Sequence, residues 1–150
     1  MYAVLRSPVA RGGKEGWRTP HGKHDTGRMK RFEIRWLTQP KPRNYPAALS
    51  YLTLIFDEAT AARYVRKLQR APVTNFKSKD IFRASGLSLL GVSNYFVEQD
   101  RKKILEGKPL SPILLVRDSQ TRRVIVADGY HRLCSVYGFD EEAPIHCKIV

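Results

Sequence analysis

The chain has 150 residues, a formal net charge of +13 and two cysteines, Cys134 and Cys147, neither in a CxxC pair. That length is one domain with room for a core, and the cysteine usage excludes a disulfide scaffold and predicts a reducing, cytoplasmic location. The longest apolar run, around Leu49 to Phe56, is broken by Ser50 and Thr53 and is too short to span a bilayer.

Residues 1–30 are rich in Gly, Arg, Lys, Pro and His, have no periodicity that could bury a face, and lack the apolar segment of a secretory signal. They read as a disordered basic leader, with Met29 just ahead of the first structured-looking segment. The leader carries +5 of the net charge, which leaves +8 on the remainder. The foldable part is therefore basic in its own right and predicts an anionic partner, either a nucleotide or a nucleic acid, DNA or RNA.

Residues 31–72 form an N-terminal extension. Phe32, Ile34 and Trp36 alternate as in a strand or an extended docking segment, and a Pro-rich link ends it. Pro46 lies in the first turn of a predicted helix. Asp57 caps a second helix, in which Ala61, Tyr64, Val65 and Leu68 repeat at helical spacing while Arg63, Arg66, Lys67 and Arg70 face outward, and Pro72 stops it.

Residues 73–150 form the second region. Val73 to Phe76 predicts a short strand, followed by a helix with Ser78 as N-cap and Gly86 just past its end. Asn94 caps a helix from Tyr95 to Glu106. Strands over 112–117 and 122–127 flank the polar turn Asp118-Ser119-Gln120-Thr121. A helix beginning after Gly129 is expected to stop at Gly138, and Ile145 to Ile149 is the last strand. The class is α/β (α+β), a small mixed sheet with flanking helices.

Between strand and helix lies Asp128-Gly129-Tyr130-His131-Arg132. A strand turning directly into a helix presents free N–H groups and a positive helix end at one point. Gly129 permits close approach of a ligand, His131 lies in the first turn, and Arg132 forks to two phosphate oxygens. The competing reading is structural: Asp128 caps the helix and Arg132 pairs with it.

The order helix, "GKPLSPILLVRD", "VIVADGYHRLCSVYGFD" resembles the ParB/sulfiredoxin-like superfamily over about residues 73–150. Pro112-Ile113 and the box Gly129-Tyr130-His131-Arg132 carry the likeness, and the chain is similar to small bacterial ParB-like proteins. The resemblance implies that Gly129, Tyr130, His131 and Arg132 hold the phosphates of a nucleoside triphosphate, ATP or CTP, with magnesium. Tyr130 stands where sulfiredoxins carry their catalytic cysteine and ParB clamps an acidic residue, which argues against both reactions. Relatives with an Asp-Gly-His-His-Arg box include a nucleotide-dependent kinase of free serine. By that likeness Asp128 is the candidate catalytic carboxylate, with Asp80 and Glu106 as weak candidates for a second.

The expected function is nucleotide binding, with two alternatives: sequence-independent DNA binding, and phosphotransfer to a small molecule. Tyr130 and Tyr137 either stack on a base or pack. Cys134 reads as a core residue. His131, Cys134, His146 and Cys147 invite a zinc reading, but neighbours in a strand point to opposite faces, so no metal site is expected. Asp100-Arg101-Lys102-Lys103 reads as a solvated helix face.

Overall fold

The computed structural model describes residues 33–91 and 93–150; the basic leader lies outside the described residues. The described residues form an α+β fold. In chain order its elements are α1 (Asn44–Leu52), α2 (Glu58–Arg70), β1 (Thr74–Lys77), α3 (Ser78–Ser85), α4 (Tyr95–Leu105), β2 (Ile113–Asp118), β3 (Arg123–Asp128), α5 (Tyr130–Phe139) and β4 (Pro144–Ile149). The strands make one mixed sheet in the order β1-β4-β2-β3, with β4 and β2 parallel and the outer pairs antiparallel.

The four apolar residues that open β2, Ile-Leu-Leu-Val, are all buried. A run without polar alternation belongs to a strand covered on both faces, and two separate clusters do the covering. On one face Leu114, Val116 and Ala127 pack against Ala48 and Leu52 of α1 and Ala61, Val65 and Leu68 of α2. On the other face Ile113, Leu115, Val126, Ile145 and Cys147 pack against Ile81 of α3 and Leu133 and Val136 of α5, with Ile104 of α4 in the same cluster. The helices of the 31–72 segment thus form one layer of a three-layer body. Lys148, nearly fully buried on that side, donates from Nζ to the Gln69 carbonyl at 3.1 Å, near the C-terminal end of α2 where helix carbonyls favour a cation.

Several boundary signals act as the sequence indicates. Asp57 accepts from the Thr60 amide at 2.9 Å, and Asn94 accepts from the Phe96 and Val97 amides at 3.0 and 3.3 Å. Gly86 ends α3 at φ 67°. Asp118 closes its turn through the Gln120 amide and the Thr121 hydroxyl. Phe32 lies outside the described residues, and residues 33–37 dock in extended form: Leu37 donates to the Leu110 carbonyl and Leu110 donates to the Arg35 carbonyl, each at 2.8 Å.

Two expectations are corrected. Lys77, not Ser78, is the N-cap of α3; Ser78 is already helical and its hydroxyl donates to the Asp140 and Glu141 carbonyls instead. Helix α5 runs through Gly138 to Phe139, whose ring packs on the core and under the Arg101 guanidinium at 4.7 Å. Those contacts reward one more helical residue, and glycine in a helix costs only about 1 kcal/mol relative to alanine. Among the described residues, no helix is long and apolar enough to cross a membrane.

Candidate functional site

The sequence box sits where β3 ends and α5 begins. Gly129 is the N-cap of α5 at φ 106°, a left-handed conformation that favours glycine. A Cβ there would lie 2.7 Å from Ile113 Cβ and 2.8 Å from an Arg132 guanidinium nitrogen. Packing as well as conformation therefore requires the missing side chain.

No side chain caps α5. Leu133 is the first residue whose amide bonds back into the helix, to the Gly129 carbonyl at 3.0 Å. Among the described residues nothing accepts from the amides of Tyr130, His131 or Arg132. These are the orphan donors that make a helix start attractive to anions.

A cleft of about 210 Å³ opens at this point between α5 and α4, and Asp128, Gly129, His131 and Arg132 line it. Asp128 accepts from Arg132 at 2.6 Å, and the two side chains are only 17% and 15% exposed. The pairing half of the structural reading therefore holds, whereas its capping half does not. The pair leaves one donor over: Arg132 Nε is buried with no hydrogen-bond partner. An unmatched guanidinium N–H in a nearly dry position is costly unless something else accepts it.

The α4 wall supplies what the sequence reading missed. Asp100, buried, and Lys103 pair at 3.0 Å and line the cleft with Gln99 and Phe96. The signal was present in the helical spacing: Asp100 lies three residues after Val97 and four before Ile104, both core residues, so it falls on the inward stripe. The basic residues around it drew the reading outward. Asp80 pairs with Arg83, and Glu106 pairs with Lys108; neither lines this cleft.

No family model, curated protein or solved structure matches the chain. The site's chemistry therefore rests on its own residues.

Tyr130 turns away from the cleft. Its hydroxyl donates to the Ser88 carbonyl, and burial raises its pKa. Tyr137 makes an edge contact with Phe82 at 4.9 Å and donates to Glu141, so neither tyrosine offers a ring to a ligand in the cleft. The exposed rings near the cleft are Phe96, 5.1 Å from His131, and Tyr95, 5.4 Å from Phe96. Cys134 is buried and its thiol pKa is raised by that burial. Burial pushes the Cys147 thiol up to about 12, and His146, lowered by burial, stacks on Trp36 at 5.4 Å. Among the described residues no three His, Cys, Asp or Glu side chains are grouped to hold a metal ion.

The site therefore combines open helix amides, two cations (Arg132 and Lys103), an imidazole and two carboxylates. Each carboxylate holds one cation. An anion bound at this point would meet both cations and the helix amides, with the two carboxylates beside it.

Proposed function

We propose that the chain is a ParB-like nucleotide-binding protein that holds the phosphates of a nucleoside triphosphate in the cleft at the start of α5. The observation that carries this reading is Arg132, whose buried Nε lacks a partner beside an uncapped helix N-terminus. Arg132 and Lys103 take phosphate oxygens, and the amides of Tyr130 to Arg132 take others. Asp128 and Asp100 face the magnesium that such a ligand brings. Magnesium is commonly bound through one or two carboxylates plus substrate phosphates, so no three-residue protein cage is required. At about 210 Å³ the cleft suits the phosphate chain and not a whole nucleotide; the base extends toward Phe96 and Tyr95.

A second reading, sequence-independent binding of DNA, is favoured by α2. Arg63, Arg66, Lys67 and Arg70 are exposed along it and pair with no acid among the described residues. One variant separates the two. Isothermal titration with ATP, CTP and GTP plus magnesium is expected to give saturable binding to at least one of them, lost in Arg132→Ala. Heat from none of them at millimolar concentration would sink the first reading, as would undiminished binding in the variant. DNA binding by α2 instead survives Arg132→Ala and falls steeply as salt is added in a gel shift.

A further inference from the structure

Residues two apart on a strand share a face, so Leu115 and Arg117 of β2 point to the same side of the sheet. That side is the one packed by α3 and α5, and Leu115 is buried in its core. Helix α3 has only eight residues. Arg117 lies at the end of the β2–β3 ladder, opposite Val124, and is exposed there. A cation therefore follows directly on a core residue, on the core's own face.

A recess of about 200 Å³ opens at this point between α3 and the sheet. Leu115, Val124 and Ile149 line it from the sheet, Ile81 and Ala84 from α3, and Phe76 from β1. Two charged residues, Asp80 and Arg117, complete the lining. Asp80 is held by Arg83 at 3.3 Å, whereas Arg117 pairs with no acid among the described residues. The uncommitted charge is thus positive. Its main chain is fixed, because the Arg117 amide donates to the Val150 carbonyl at 2.7 Å. Its charge also reaches inward: burial raises the pKa of the Cys147 thiol on this face, and Arg117 acts against that rise. None of the residues lining this recess lines the cleft at α5.

We propose that this recess is a ligand site, separate from the cleft at α5, for a small aliphatic monocarboxylate. A mostly apolar hollow with one uncommitted polar group is the usual design of a small-molecule site, the apolar walls supplying affinity and the polar group orientation. The aliphatic body lies on Leu115, Val124 and Ile149 beneath Ala84, and the carboxylate takes the fork of Arg117. Size limits the ligand. The recess displaces roughly seven waters at about 30 Å³ each, which is the room of a chain of about six to eight carbons and not of a nucleotide. Charge limits it further. A neutral ligand leaves Arg117 unused, and a dianion brings its second charge toward Asp80.

Methyl NMR titration of the full chain with hexanoate and its neutral isostere hexanamide tests the assignment. Hexanoate should give saturable shifts at the methyls of Leu115, Val124, Ile149 and Ala84 at millimolar concentration. Hexanamide should bind about threefold to tenfold more weakly, the range for a charge pair that keeps some solvent contact. Arg117→Gln alters an exposed side chain, so its circular dichroism should match the parent's. It should lower hexanoate affinity to that of hexanamide and leave hexanamide itself unchanged. Ala84→Leu, on an exposed helix position, should fill the recess and abolish binding of both. Shifts that do not saturate by about 10 mM overturn the proposal, since a ligand of this size in a formed pocket binds within that range. Equal binding of acid and amide, or hexanoate binding undiminished in Arg117→Gln, also overturns it. So do shifts confined to the cleft at α5, where the carboxylate then acts only as an anion.

Discussion

Helices α3 and α5 begin in the same way, each directly off a sheet strand, yet one start is closed by its own chain and the other is open. At α3 the loop after α5 takes the first two amides and the neighbouring lysines. Ser78 and Lys79 donate their amides to the Ala143 and Glu141 carbonyls at 3.0 Å, the Ser78 hydroxyl donates to the same loop, and Glu142 binds Lys77 and Lys79. At α5 no loop arrives. Its first amides face a cleft, and its arginine keeps a buried donor without a partner. What sets α5 apart is an open helix start beside an incompletely matched cation.

The comparison breaks most severely at Gly129. Gly129→Ala puts a methyl group against Ile113 and Arg132 at a φ of 106°. Strain and overlap together should cost about 2–4 kcal/mol in urea unfolding. A loss under about 1 kcal/mol would mean that the junction relaxes freely and that its geometry is not fixed.

Next in size is the Asp128–Arg132 pair. Asp128→Ala leaves the guanidinium mostly buried with no acid, at a cost of about 2 kcal/mol, below the range for fully buried pairs because both side chains keep some solvent contact. If Arg132 is the phosphate ligand, inorganic phosphate should raise the melting temperature of this variant more than that of the parent. Equal shifts in the two proteins would place phosphate elsewhere. The same anion should do nothing specific at α3, where the loop already occupies the helix start.

Local chemistry made much of this fold legible in the sequence. Asp57, Asn94, Gly86 and the Asp118 turn act through their own side chains or backbone over a few residues, so their signals are visible in the chain. Ser78 was misread because its partners, Asp140 and Glu141, lie more than sixty residues away. The box 128–132 was legible as a strand-to-helix turn, but the cleft's other wall was not. Asp100 gains its meaning only when α4 packs on α5, and Tyr130 loses its place in the cleft when its hydroxyl finds Ser88. The layer formed by α1 and α2 was hidden for a related reason. A resemblance confined to residues 73–150 gives no account of what covers the second face of the sheet.

The closed junction should respond more weakly, and through pH. Lys77 and Lys79 beside Glu142 hold its carboxyl at about 2, well under the ordinary 4.5. A carboxylate with a depressed folded pKa stabilises the protein above its ordinary value, and that contribution is lost as pH falls from about 4.5 toward about 2. The side chains are largely exposed, so water and salt screen the interaction and the loss should be small. Glu142→Gln should therefore lower the midpoint slightly at neutral pH, with the two proteins converging below pH 2. It should leave the proposed nucleotide binding at α5 untouched. A large neutral-pH loss would mean that the ionic clasp, and not the Ser78 hydroxyl and the loop carbonyls, closes the start of α3. The contrast between the two helix starts would then be one of charge and not of hydrogen-bond supply.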